Sequence, residues 1–278
     1  MKTDSLQHQI DKLVKRASFS LRPDLMNLLI KAYRSEPVSR AKKALGWIID
    51  NARIAEKENI PICQDTGFPV IFIELGKDIK ISADDAKRIE KYLVTSYENN
   101  FLRASTLDPI TRGAPSYKGL SMHFEFNPAL KGVKLTFLLK GFGSENKSQL
   151  KMFNPTAKLE EIEEFVLSSV KSAGPEACPP FVVGLGIGGT SNDCLLLAKK
   201  ALLMPLDKSN PDKTLFKIER SLFKKINSLG IGPMGFGGMH TVLAVRVKKE
   251  PTHIAGLPVG VNISCHALRY ASIKIFKL

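Results

Sequence analysis

The sequence predicts a mixed α/β chain of the α+β kind, with a helical N-terminal part over residues 1–60 followed by a two-lobed mixed-sheet domain. Three observations carry this. Apolar residues in the first sixty positions recur at helical spacing. From residue 69 on, short apolar runs that end at glycine alternate with amphipathic stretches. No internal repeat and no low-complexity linker divides the chain, so 1–278 reads as a single domain.

Taken in order, Leu25, Leu28, Leu29 and Tyr33 fall on one helical face behind Pro23, which suits a first helical turn. Ala41, Leu45, Ile48, Ala52 and Ala55 mark a second helix over Val38–Lys57. Pro69–Leu75 ends at Gly76 and reads as a buried strand. Ser82 followed by Asp85 has the spacing of a capping box, opening a helix to about Asn99. Residues 101–120, rich in Pro, Gly, Ser and Thr, read as a loop. Met122, Phe124 and Phe126 alternate, as do Val133, Leu135 and Phe137, so both runs read as strands. A loop over 141–147 precedes a helix from about Thr156 to Lys171. Phe181–Val183 reads as a buried strand leading into a glycine-rich turn, followed by a helix near 192–203. A further helix runs from about Asp212 to Leu229, a strand covers 242–247, and Ser272–Phe276 forms a last strand.

The chain has 278 residues, 44% of them hydrophobic and 24% charged. That composition belongs to a globular protein and excludes a disordered, collagenous or disulfide-scaffold chain. Its net charge is +14, unevenly placed: +5 over residues 1–60, −1 over 61–194 and +10 over 195–278. Such an excess suits an anionic substrate, an acidic partner or nucleic acid. Nucleic-acid binding would call for basic residues interleaved with exposed aromatics, whereas the one Trp and the strand-embedded Phe residues fit that poorly. We therefore expect no nucleic acid. The amphipathic start lacks the apolar core of a leader, and Pro179–Gly189 is too short and too glycine-rich to span a bilayer. A cytoplasmic chain without a membrane partner is expected.

Four cysteines occur: Cys63, Cys178, Cys194 and Cys265. In a reducing compartment they read as thiols or metal ligands rather than disulfides. Cys63 (in Pro61-Ile-Cys-Gln-Asp-Thr-Gly67), Cys178 (in Ala177-Cys-Pro-Pro180) and Cys265 (in Asn262-Ile-Ser-Cys-His-Ala267) sit in loop-like settings. Their wide separation excludes a local zinc-finger or ferredoxin pattern, but not a site assembled from distant loops. Simple core packing is the competing reading for each, and it is the one assigned to Cys194, in the apolar run Asn192-Asp-Cys-Leu-Leu-Leu. Asp65 could move a proton or simply cap a turn. Gly184, Gly186 and Gly189 fit G-x-G-x-x-G, but no second strand leads into Asp207, so a dinucleotide site is disfavoured.

Six motifs occur in one order: Cys63-Gln-Asp-Thr-Gly67, Gly143-Ser-Glu-Asn-Lys147, Cys178-Pro-Pro180, Gly186-Ile-Gly-Gly-Thr190, Gly230-Ile-Gly-Pro-Met-Gly-Phe-Gly-Gly238 and Asn262-Ile-Ser-Cys-His-Ala-Leu-Arg269. Together they resemble the alpha subunit of the class I, iron–sulfur fumarate hydratase and L-tartrate dehydratase family. The resemblance runs from about residue 20 onward. It implies an iron–sulfur hydro-lyase domain with a [4Fe–4S] cluster held by Cys63, Cys178 and Cys265, leaving one iron open as a Lewis acid. It implies that Asp65 and His253 are a catalytic pair. It also implies that Gln64, Asp65, Arg103, Gly141, Ser144, Glu145, Asn146, Lys147, Ser148, Gln149 and Leu150 meet a small dicarboxylate. Phe142 stands where the family often has a third glycine. The implied reaction is the reversible hydration of fumarate to L-malate, with dehydration of L-tartrate to oxaloacetate as the alternative. The implied partner is a separate beta-type subunit that completes the site, the two forming a heterotetramer, because the chain stops where the family's second domain would begin.

Overall fold

The computed structural model describes residues 6–276; the outermost residues of the 1–60 helical part and of the single-domain reading lie outside them. The described chain divides into two compact units. One gathers the segments up to Leu21, Ala52–Lys140 and from Arg269 on; the other gathers Arg22–Asn51 and Gly141–Leu268.

The first unit is built on a four-stranded mixed sheet ordered β2-β1-β3-β8, with β1 at Phe68–Leu75, β2 at Ser121–Phe126, β3 at Val133–Lys140 and β8 at Arg269–Ile275. β1 runs parallel to β2 and antiparallel to β3. Alternate residues share a face of a strand. Ile71, Ile73 and Leu75 of β1 therefore join Leu135, Phe137 and Leu139 of β3 in one core. Helix α1 (Leu6–Phe19) closes it with Ile10, Leu13, Val14 and Ala17, and helix α4 (Ala83–Asn99) with Ile89, Leu93 and Tyr97. The box predicted at the start of α4 is present: Ser82 Oγ accepts from the Asp85 N–H, and the Asp85 carboxylate accepts from the Ser82 N–H. Each bond satisfies a donor that a helix start otherwise leaves open.

The second unit holds helix α2 (Pro23–Ser35) and the start of α3 (Ser39–Glu58). Its sheet is ordered β4-β7-β5-β6, with β4 at Gln149–Phe153, β5 at Phe181–Gly189, β6 at Val242–Thr252 and β7 at Leu257–Ser264. One face packs on helices α6 (Leu159–Ala173) and α8 (Lys213–Asn227) through Val166, Val170, Leu222 and Ile226 against Val183, Leu185, Val245 and Ile263.

Helix α7 (Ser191–Leu202) lies on the other face, and the glycines set its distance. A Cβ on Gly186 would lie 2.0 Å from Cys194 O, and one on Gly184 2.1 Å from Ala198 O. Only glycine permits that approach of helix backbone to strand. The expected turn at 184–189 is therefore the continuation of β5 itself, and the G-x-G-x-x-G spacing reflects close packing. Strands β4 and β7 are additions to the sequence reading, and the 141–147 loop contains a short helix, α5 (Phe142–Glu145). No helix among the described residues is long and apolar enough to cross a membrane.

Candidate active site

Two loop systems carry the predicted residues, one in each unit. In the first unit, residues 62–67 lead into β1. The Ile62 N–H donates to Ser18 O at 3.1 Å, which anchors the segment on α1. Cys63 is a half-buried free thiol whose Sγ–H donates to Oε1 of the exposed Gln64 at 3.3 Å. Asp65 is half-buried; its Oδ1 accepts from the Gly67 N–H at 3.0 Å, an Asx turn. Gly67 has a φ of +92°, and a Cβ there would lie 2.7 Å from Leu139 C, so the turn needs glycine.

Three further bonds fix this turn. Arg269 Nη1 donates to Asp65 O at 2.6 Å, Tyr97 Oη donates to Gly67 O at 3.2 Å, and the Arg103 N–H donates to Thr66 Oγ1 at 3.0 Å. The Arg103 side chain is left exposed. Burial pushes the Tyr97 hydroxyl well above its usual range, with Asp65 adding to the rise and Arg269 opposing it, so Tyr97 is a donor at neutral pH. A cleft of about 20 Å³ lined by Gly67, Tyr97, Arg103, Ser116 and Tyr117 lies beside the turn. It has room for about one water.

In the second unit, Cys178 follows a 3-10 turn (Gly174–Ala177) in a left-handed conformation, φ +55°, before the cis Pro179–Pro180 bond. His266 holds it: its N–H lies 3.2 Å and its Nδ1 3.1 Å from Cys178 O. The residue next to Cys265 thus ties the Cys178 backbone to the end of β7. The Met234 N–H donates to Pro179 O at 2.8 Å, so the glycine-rich segment 230–238 buttresses the same turn. Cys178 and Cys265 are half-buried and form no disulfide. Cys194 is fully buried, donates its Sγ–H to Ser191 O at 3.2 Å, and has a thiol pushed up by burial, as a packing residue should.

Gly141 caps α5, its O accepting from the Glu145 N–H and from Ser144 Oγ at 3.0 Å each. Glu145 lies 2.5 Å from Lys199 Nζ and accepts from Asn262 Nδ2 at 2.9 Å; the same Nδ2 reaches Ser148 Oγ at 2.8 Å. Lys147 pairs with Glu176 at 2.5 Å, which holds the Glu176 carboxyl below its usual range. Asn146, Gln149 and Leu150 are exposed. His253 is exposed on the turn after β6, its Nδ1 accepting from the Ala255 N–H at 3.1 Å, so a neutral ring carries its proton on Nε2. It lines an open cleft of about 490 Å³ with Thr190, Asp193, Glu250 and Thr252.

Sequence reasoning missed Tyr97, Lys199, Asn262, His266 and Arg269 as organisers of these loops. Asn262, His266 and Arg269 stood inside a quoted motif, but a motif does not say which of its members points inward. Tyr97 and Lys199 carried no signal beyond helical periodicity.

Cys63, Cys178 and Cys265 are donors of the kind an iron–sulfur cluster takes: soft, outside any disulfide, half-buried and in loop segments. Among the described residues no three His, Cys, Asp or Glu side chains are gathered as a ready metal site. A buried orphan also fits an anion near the first loop: Arg269 is 2% exposed, and its Nε has no hydrogen-bond partner.

Comparison with known proteins relates the chain to hydro-lyases. The profile of the family described as Fumarate hydratase (Fumerase) matches residues 7–274. A Methanocaldococcus jannaschii protein provisionally named L(+)-tartrate dehydratase subunit alpha is 42% identical over 275 residues, 96% of each chain. A Geobacillus stearothermophilus protein provisionally named class I fumarate hydratase is 28% identical over 290 residues; the match takes in 98% of this chain and 55% of that protein. The L(+)-tartrate dehydratase subunit alpha of Escherichia coli K12 is 24% identical over 256 residues, 91% of this chain and 84% of that one. The chain belongs to the fumarate hydratase (fumerase) family of hydro-lyases.

Proposed function

We propose that the chain is the alpha-type subunit of a [4Fe–4S] hydro-lyase that interconverts fumarate and L-malate. The observation that carries this is the contrast among the cysteines: three half-buried thiols on turns, and one sealed in the core. Cys63, Cys178 and Cys265 would hold the cluster as thiolates. When bound, a cluster with three protein ligands supplies an open iron that acts as a Lewis acid toward the substrate's hydroxyl and carboxylate. Such thiolates suit a reducing, cytoplasmic compartment.

The protein's part is binding and proton handling. The exposed fork of Arg103 would clamp one substrate carboxylate through both oxygens. Asp65 would move the proton at the departing oxygen, and His253 would partner it. Gln64 would hydrogen-bond the substrate, and the segment Gly141, Ser144–Leu150 would wall the site. Within that wall, Glu145 and Lys147 are already paired inside their unit. Their support is therefore to hold the wall's shape rather than to offer free charge.

A second reading, dehydration of L-tartrate to oxaloacetate, is favoured by the 42% identity to a protein named for that activity. The relatives named as alpha subunits support a beta-type partner that completes the site in a heterotetramer. The test is anaerobic co-purification with the candidate partner, reconstitution, and parallel assays on fumarate, L-malate and L-tartrate. Turnover of fumarate that exceeds tartrate by about tenfold or more, as one substrate hydroxyl can decide, supports the first reading. The reverse ratio supports the second, and no hydration of fumarate and no dehydration of L-malate or L-tartrate overturns both.

A further inference from the structure

We propose that Arg269 and Tyr97 are positioning residues that hold the Cys63–Asp65 turn in its working geometry. This rests on the proposed role of that turn. Packing of the first unit does not account for the polar end of either residue: the Arg269 guanidinium and the Tyr97 hydroxyl both reach past the core to this turn. Arg269 opens β8 opposite Leu139, a place where a strand facing this core would carry an apolar residue. It is instead a guanidinium, 2% exposed, with one hydrogen bond among the described residues and a buried Nε that has no hydrogen-bond partner there. A desolvated cation is costly wherever it has no compensating anion or acceptors, so it marks a demand other than packing. That bond goes to Asp65 O.

Tyr97 approaches the same turn from α4. It is 4% exposed, and its hydroxyl reaches Gly67 O. The two donors therefore take the carbonyls on either side of Thr66, while Thr66 Oγ1 accepts from the Arg103 N–H and the Gly67 N–H closes on Asp65 Oδ1. Four hydrogen bonds thus fix the three-residue segment Asp65–Gly67. A group that transfers a proton must be held to well under an ångström, and a misplacement of about 1 Å can cost about a hundredfold in rate. The bonds from Arg269 and Tyr97 supply that constraint through backbone carbonyls rather than through the Asp65 carboxylate.

The test uses Tyr97→Phe, Arg269→Lys and Arg269→Gln in the cluster-loaded complex with its partner subunit, with amide exchange measured on the cluster-free chain. Tyr97→Phe removes one hydroxyl and little volume, so it keeps the test open if the arginine variants fold poorly. We expect Tyr97→Phe to lower kcat about tenfold with KM within about twofold. Iron and sulfide content should stay at the wild-type level, and amide exchange should quicken at 62–67 while β3 and α1 keep wild-type protection. Arg269→Lys should retain more kcat than Arg269→Gln, because it keeps the charge. Wild-type exchange at 62–67 in both Tyr97→Phe and Arg269→Gln would overturn the proposal, as would equal acceleration throughout the sheet or equal loss in the Lys and Gln variants. If Asp65→Asn keeps full activity, the proton role of Asp65 fails; the exchange comparison still decides whether the two residues hold the turn.

Discussion

Replacing Gly186 by alanine tests whether the glycines of β5 exist for packing or for a ligand. The added methyl would meet Cys194 O at 2.0 Å, Ala198 N at 2.7 Å and Leu197 Cβ at 2.8 Å. Two of the three obstacles are helix backbone, which cannot rotate away as a side-chain tip can. Helix α7 must retreat by more than about 1 Å, opening gaps along its other contacts. Overpacking of a tight core costs about 1–3 kcal/mol and occasionally more. With backbone on the receiving side we place the cost at the top of that range or just beyond, about 3–4 kcal/mol. For a domain of this size each kcal/mol lowers Tm by about 2–4 °C, so Tm should fall by about 6–16 °C. Gly256→Ala is the control, because a Cβ there meets nothing within 4 Å. Thermal melts of the cluster-free variants, read by circular dichroism, make the comparison. A Gly186→Ala melting point within about 2 °C of wild type, or a loss no larger than that of Gly256→Ala, would refute the packing account of these glycines.

Three other outcomes are expected. Cys63→Ser, Cys178→Ser and Cys265→Ser should each abolish stable iron binding, whereas Cys194→Ser should keep iron but lose about 1–3 kcal/mol in urea unfolding, since it buries a new hydroxyl. Stability should fall as pH drops below 6.5, the ordinary value for histidine, in part through His240. Burial lowers its folded pKa, against an opposing pull from Glu36, so the unfolded chain binds the proton first; His240→Gln should flatten that part of a Tm–pH profile. Asn262→Ala should strip Glu145 and Ser148 of a shared donor, costing about 1–3 kcal/mol of stability. In the proposed enzyme it should also raise KM for the dicarboxylate more than it lowers kcat.

Most helices and the inner strands were legible because their patterns are strong. The Ser82–Asp85 spacing gave the start of α4, and the alternation at 133–137 gave β3. β7 was not legible: Leu257–Ser264 is buried on both faces, and Pro258 and Gly260 interrupt any alternation. β4 was hidden for the opposite reason. It pairs only with β7, and four of its five residues are exposed. The glycines of β5 were misread as a turn because sequence cannot distinguish glycine needed for a bend from glycine needed for a neighbour's approach. At the candidate site, cysteines and Asp65 stood out by type and setting. Arg269, Tyr97 and His266 did not, since they act through backbone carbonyls brought near only by the fold. The surplus charge stood out too. Around the predicted residues it is partly absorbed by Glu145–Lys199 and Lys147–Glu176, and the basic end of the chain carries the rest.

The central claim is that three named thiols hold one cluster. Its most direct measurement is iron and acid-labile sulfide per chain after anaerobic reconstitution, in wild type and in Cys178→Ser. The account predicts about four of each per wild-type chain and a loss of nearly all of both in the variant. Wild-type protein with less than about one iron per chain, or a variant with undiminished iron and sulfide, would contradict it.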